Sequence, residues 1–207
     1  MWVNFFDKIY LINLPYRTDR LSVSSQILND FEIPFERYEA IEDAAQPCVG
    51  LVRTMQAIFK HALREGYKNV LIFEDDIEML VDSGTFNEVM NGCVSQLPRY
   101  YHIFYLGCNH PAKFVSKYSE NLLPVKQAYS THAVAYNKSA MQFIVNRAIN
   151  EPIDNFLVRE FQPHSQCYCA FPMLVSQRVD YSDIGKNVTN WKKNLEVRFA
   201  ETTKHLA

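Results

Sequence analysis

Glu74, Asp75 and Asp76 stand side by side directly after the apolar run Val70-Leu71-Ile72-Phe73. Four consecutive apolar residues predict a buried strand, so the acids emerge where a core meets its edge. Carboxylates are costly to bring near a core, and adjacent like charges repel. A divalent cation would offset that cost. Mg²⁺ and Mn²⁺ take hard oxygen ligands, usually one or two protein carboxylates completed by substrate phosphates and water. Three other roles fit the same residues: an acid pair for glycoside hydrolysis, a carboxylate nucleophile for phosphoryl transfer, and an acidic turn that only faces water.

A second group of residues agrees with an anionic ligand. Lys8-Ile9-Tyr10-Leu11-Ile12-Asn13-Leu14 reads as a strand stopped by Pro15, and Arg17 and Arg20 follow it in a polar stretch. In an open α/β sheet ligands gather at the carboxyl ends of strands, which is where these arginines fall. Guanidinium groups there suit bidentate contact with phosphates. The chain has no Walker A sequence, no GxGxxG, no GxSxG and no HExxH. That removes the commonest rival sites for this kind of sheet.

The elements that must position these groups alternate. Strands are expected at Phe5–Leu14, Phe35–Ile41, Val70–Phe73, Tyr101–Gly107 and Thr131–Tyr136, with a short one at Leu122–Val125 and a strand or extended segment at Cys167–Pro172. Leu51, Val52, Met55, Ile58, Phe59, Ala62 and Leu63 recur at helical spacing, and Gly66 supplies the stop. Further helices are expected after a Thr18 or Asp19 cap, over Thr85–Leu97, after a Ser139 cap, from Pro152, and from Trp191 to the end. Cys108–Gln127 has no period and reads as an irregular excursion, with Lys113 and Lys117 in a lid or a solvated loop; Asp180–Lys186 reads as polar loop. The glycine at 107 predicts a close approach of backbone or ligand. This order implies an α/β fold, helices on both faces of a mainly parallel sheet, in a single domain spanning 1–207.

Composition narrows the classes. The chain has 207 residues, 48% hydrophobic and 21% charged, which is globular and not disordered. A net charge of −2 gives no reason to expect nucleic acid as a partner. Five cysteines, two of them in a CxC pair, read as free buried thiols and not as a zinc site. No transmembrane segment or leader is evident, so the expected location is cytoplasmic, and the sequons at Asn137 and Asn187 read as chance.

Taken in order, the segments resemble glycosyltransferase family 25, which includes bacterial lipooligosaccharide galactosyltransferases and procollagen galactosyltransferases. The likeness is carried by Ile9–Leu14 with Arg17 and Asp19-Arg20, by the helix after Gly50, and most of all by Val70–Ile77. It continues through Tyr105-Leu106-Gly107, Ser130–Tyr136 with Ser139-Ala140, Pro152-Ile153-Asp154, and Phe171-Pro172 followed by Ser182-Asp183-Ile184. The resemblance implies a GT-A fold, a nucleotide-diphosphate sugar donor (UDP-galactose favoured), Mn²⁺ or Mg²⁺, inversion at the anomeric carbon, and a glycan, lipid-linked glycan or protein hydroxyl as acceptor. In its terms Asp76 is the direct metal ligand. Glu74 and Asp75 hold ribose, sugar or metal waters, and Asn13, Arg17 and Arg20 serve the nucleotide. Asp154 is the base, and His132 or His164 completes the metal site or touches the sugar. The pattern departs from the family at Leu51, Thr54-Met55 and His132. Those departures motivate an alternative reading, a catalytically silent nucleotide- or carbohydrate-binding module of the same fold. A metal-dependent phosphoryl-transfer enzyme using the same acids is a third.

Overall fold

The structure is a computed structural model; it describes residues 1–109, 116–182 and 187–189, and 197, 200, 201 and 203–206 near the end. Seven strands form one sheet in the order β2-β1-β3-β7-β5-β8-β6. These are β1 (Lys8–Asn13), β2 (Glu36–Glu39), β3 (Asn69–Glu74), β5 (Ile103–Tyr105), β6 (Leu122–Val125), β7 (Ala133–Asn137) and β8 (Cys167–Ala170). β1 pairs in parallel with both β2 and β3, and β5 with β8. β7 lies antiparallel between β3 and β5, and β6 lies antiparallel on β8. Five strands therefore point one way and two the other, which agrees with a mainly parallel α/β sheet.

The burial of the strands explains their composition. β1, β3, β5, β7 and β8 are covered on both faces, so they read as continuous apolar runs without alternation. One core layer joins α2 (Pro47–Arg64), α4 (Lys138–Val145) and α5 (Ile153–Phe156) to one face of the sheet. The other joins α1 (Thr18–Asp30), α3 (Ser83–Gln96) and the N-terminal turn around Trp2 to the opposite face. α1 leads from β1 outward to β2, whereas α2 leads back across to β3. The β1/β3 boundary is thus the place where the chain reverses its direction of progress across the sheet, and ligands of open α/β sheets sit outside such a point.

Several boundaries differ from the sequence expectation for local reasons. α2 begins at Pro47, where a missing N–H costs nothing. Its stop follows expectation, with Gly66 just beyond it at φ +77°. α4 is capped by Asn137, whose side chain accepts from the Ala140 amide, and not by Ser139. α1 has Arg17 at its cap position and no side-chain cap bond from Thr18 or Asp19. β10 (Asp180–Ser182) pairs with β11 (Asn187–Thr189), so the start of the expected polar loop is a strand. The small pair β4 (Ile77–Met79) and β9 (Val175–Gln177) has no counterpart in the sequence reading. Gly107 meets the close approach foreseen for it. A Cβ there would lie 1.9 Å from the Val175 carbonyl oxygen, so the neighbour is backbone of β9 and not a ligand. All five cysteines are free thiols, and four of them are buried. Lys113, Asp183 and most of the expected terminal helix from Trp191 lie outside the described residues.

Candidate donor and metal site

The acids sit at the carboxyl end of β3, beside the end of β1 and at the reversal point just described. Glu74 ends the strand, and Asp75-Asp76 turn into β4. They do not form a surface turn. Asp75 is 8% exposed, and all three line a cavity of about 370 Å³ together with Asn13, Tyr16, Arg20 and Gln177. The loop at 40–44 after β2 closes the far wall. That loop is seated against α2 because Gly50 lets it approach; a Cβ there would meet the Ile41 carbonyl oxygen at 2.6 Å.

Each acid has a different set of partners. Asp75 points back into protein. Its Oδ2 accepts from Asn13 Nδ2 at 2.7 Å and its Oδ1 from Arg20 Nη1 at 3.0 Å. Its backbone carbonyl accepts from Ser24 Oγ at 2.7 Å and from Arg178 Nη2 at 2.9 Å. Arg20 and Ser24 lie one helical turn apart on the inner face of α1, so this helix offers polar groups to the acidic turn beside its apolar residues. Asn13 is fully used: it also donates to the Arg17 carbonyl and accepts from Arg37. Glu74 Oε1 accepts from Thr131 Oγ1 at 2.7 Å. Asp76 Oδ2 accepts from Gln177 Nε2 at 3.2 Å, while its Oδ1 is buried and accepts nothing.

The charges follow from this layout. Burial, reinforced by the charge of Asp76, pushes the Glu74 carboxyl up to about 8. Burial also raises Asp76 and Asp75, although Arg20 opposes the shift in both. For Arg20 burial alone would lower the value, but the charges of Asp75 and Asp76 more than offset it. The pocket therefore disfavours full ionisation of its three carboxyls. Stability should record that. A carboxyl whose folded value lies above its unfolded 4.5 binds more protons in the native state, so metal-free stability should fall as pH rises from about 4.5 to 8. Glu74→Gln should flatten this profile and raise stability at pH 8 by about 2–4 kcal/mol, measured by urea unfolding across that range.

The other sequence candidates divide. Arg17 turns its guanidinium to Asp19, at 3.0 and 3.1 Å, and lowers that carboxyl to about 2; it does not line the cavity. Asp154, at the start of α5, accepts from the Ser130 amide at 3.3 Å and the Asn155 amide at 2.9 Å. It lies outside the cavity wall, yet its charge contributes to raising Glu74. His132 is completely buried below the site, with Nε2 3.1 Å from the Val175 carbonyl and Nδ1 unpartnered. Burial lowers it to about 4, so it is neutral. It meets the acids only through its backbone carbonyl, which accepts from the Glu74 amide at 2.8 Å. His164 is exposed just before β8 begins, at the amino end of the sheet, whereas the acids lie at the carboxyl end. The fold therefore keeps His164 away from Asp76. Among the described residues no three His, Cys, Asp or Glu side chains are gathered around one point.

Five contributors were not anticipated: Ser24, Arg37, Thr131, Gln177 and Arg178. Only tertiary pairing brings them in, since each lies tens of residues from the acids, and Thr131 alone falls in a segment of the resemblance, with no role assigned to it there. Tyr16 was also missed. It is 55% exposed at the cavity rim, and an exposed aromatic before a basic stretch was a usable signal.

The architecture has known counterparts. It is similar to a glycosyltransferase involved in the glycosylation of the major capsid of PBCV-1, with TM-score 0.55 and 13% identity over 92% of this chain and 98% of that one. The chain has a GT-A-type fold. Lower-scoring likenesses are UDP-glucose pyrophosphorylase complexed with UDP-glucose (TM-score 0.47, 10% identity, 95% of this chain and 81% of that one) and the inositol-1-phosphate CTP transferase from T. maritima (TM-score 0.42, 12% identity, 97% and 78%). Identities this low establish the GT-A architecture alone. No family model matches the chain and no curated protein matches it in sequence, so these comparisons give no support to glycosyltransferase family 25 in particular. Among the described residues no helix is long and apolar enough to cross a membrane.

Proposed function

We propose that this chain is a metal-dependent glycosyltransferase that binds a nucleotide-diphosphate sugar in the cavity between β1, β3 and the 40–44 loop. The observation that carries the reading is the unpartnered Oδ1 of Asp76, a buried carboxylate oxygen on a residue that lines a cavity large enough for such a ligand. An orphan acceptor among carboxyls whose ionisation burial disfavours fits a hard cation that brings phosphates with it. Asp76 would hold that cation, with Glu74 beside it. The cation would supply neutralisation of the departing diphosphate. Arg20 and Asn13 fix the acidic turn, and Tyr16 at the rim offers a face for a nucleobase. UDP-galactose is the favoured donor, a glycan, lipid-linked glycan or protein hydroxyl the acceptor, and inversion the outcome; these follow from the motif resemblance.

Inversion needs a carboxylate to take the acceptor proton on the face opposite the diphosphate. Asp154 fits, since both its oxygens keep lone pairs beyond the amides they already accept from. Asp154→Asn is expected to leave donor binding within about twofold and to lower transfer about 100-fold. Equilibrium titration with UDP-galactose checks the first number, and single-turnover assays at saturating UDP-galactose check the second.

Thermal shift with a panel of nucleotide sugars, each with and without Mn²⁺, tests the reading. The expected result is stabilisation by one UDP-sugar only when the metal is present, followed by UDP release. Metal-dependent binding without release of UDP from any common donor would instead favour a silent binding module. Release of inorganic phosphate would point to phosphoryl transfer.

A further inference from the structure

Strand β9 approaches the acidic turn from the far end of the chain, and its placement is heavily constrained. The Leu174 and Val175 amides donate to the Leu106 carbonyl at 2.8 and 3.3 Å, and His132 Nε2 meets the Val175 carbonyl at 3.1 Å. Only a glycine at 107 allows this packing, because any Cβ would collide with the Val175 carbonyl. The strand then pairs with β4, setting Gln177 opposite Ile77, immediately after the acids. Beyond it the Arg178 amide donates to the Asp76 carbonyl at 2.7 Å, and the Arg178 guanidinium reaches the Asp75 carbonyl. All these contacts deliver one side chain to the pocket wall: Gln177, whose Nε2 occupies Asp76 Oδ2.

We infer that Gln177 is a positioning residue for the cation site, holding Asp76 by Oδ2 and leaving Oδ1 as its one oxygen without a protein partner. This rests on the metal-dependent reading above. A carboxylate rotates freely unless one oxygen is tied, and an untied one can chelate through both oxygens. Ca²⁺ accepts bidentate carboxylates readily, whereas Mg²⁺ demands stricter octahedral geometry at shorter distances. A carboxamide is suited to the restraint because it donates a hydrogen bond without adding charge to a pocket already rich in anions. Gly107 and His132 act at one remove, by fixing the strand that carries Gln177. That gives the buried imidazole a reason to be where it is without contact with any ligand.

Mn²⁺ binding followed by electron paramagnetic resonance, with UDP as the supporting nucleotide and Ca²⁺ as competitor, separates the possibilities. Wild type, Gln177→Leu, Gln177→Glu and Asp76→Asn are compared, each confirmed folded by circular dichroism. Both Gln177 variants are expected to weaken UDP-supported Mn²⁺ binding about 10-fold or more, the range found when a residue orienting a metal ligand is removed. Gln177→Leu should also shift the preference towards Ca²⁺, because Asp76 is no longer held by one oxygen. Wild-type affinity and an unchanged Mn²⁺-to-Ca²⁺ ratio in Gln177→Leu would overturn the inference. Tighter Mn²⁺ binding by Gln177→Glu would also overturn it, by making position 177 a direct ligand. If wild type shows no UDP-supported Mn²⁺ binding, or Asp76→Asn retains it, the metal reading itself fails and this inference goes with it.

Discussion

Asp76→Asn is expected to lower Mn²⁺-dependent nucleotide binding and sugar transfer by about 10³-fold while leaving the metal-free protein as stable as wild type or more so. The first half follows from the orphan Oδ1. If that oxygen is the protein's main anchor for the cation, its loss removes several kcal/mol of charge stabilisation on the leaving diphosphate, and each 1.36 kcal/mol is tenfold in rate. The second half follows from electrostatics without metal. Burial raises the Asp76 carboxyl, so its ionised form is disfavoured in the fold, and an amide of the same shape removes that penalty. The Asn side chain can still accept from Gln177 Nε2. Opposite signs in the two measurements exclude a folding defect as the cause of lost binding. Retained Mn²⁺-dependent UDP affinity in this variant would remove Asp76 as the ligand.

The sequence made the sheet legible because its central strands are buried on both faces. Val70–Phe73 and Ala133–Tyr136 read as apolar runs, and α2 shows its stripe without interruption. It made the acids legible for the same reason: carboxylates beside a core demand an explanation. What it could not show was where each carboxylate points. Asp75 and Asp76 are neighbours of one type, yet one has both oxygens taken by Arg20 and Asn13 and the other keeps one oxygen without a protein partner. That division is set by α1 and β9, which lie 50 and 100 residues away along the chain. β4 and β9 are three residues each, too short to carry a period, so the long-range antiparallel pair that brings Gln177 and Arg178 to the site left no trace. The places of the histidines were hidden for a related reason. A histidine next to a motif in sequence is as easily a core residue, and His132 is buried in the core, while sequence order does not reveal that His164 lies before β8, at the other end of the sheet from the acids.

Arg20→Met is expected to destabilise the metal-free protein by about 3–5 kcal/mol, the cost of leaving one member of a buried ion pair without its partner. The side chains of Arg20 and Asp75 are 9% and 11% exposed, so the pair is not one of the surface bridges whose removal goes unnoticed. Asp75 would keep its Asn13 bond but face Asp76 and Glu74 with less positive charge nearby. Its carboxyl is already raised by burial, and loss of Arg20 raises it further. A raised folded value means that stability is lost as pH rises through it, so the defect should be largest at neutral and alkaline pH and shrink on acidification. Asp75→Asn in the same background should recover most of the loss, since it removes the stranded charge, and a double-mutant cycle by urea unfolding at pH 5 and 8 measures the coupling. A pH-independent loss that Asp75→Asn does not relieve would mean that Arg20 acts by packing its stem in α1 and not by neutralising the turn. The contrast with Asp76→Asn is the point of the design: one carboxylate is held in place by the fold and costs stability when its partner goes, and the other is left unpaired by the fold and costs stability while it stays.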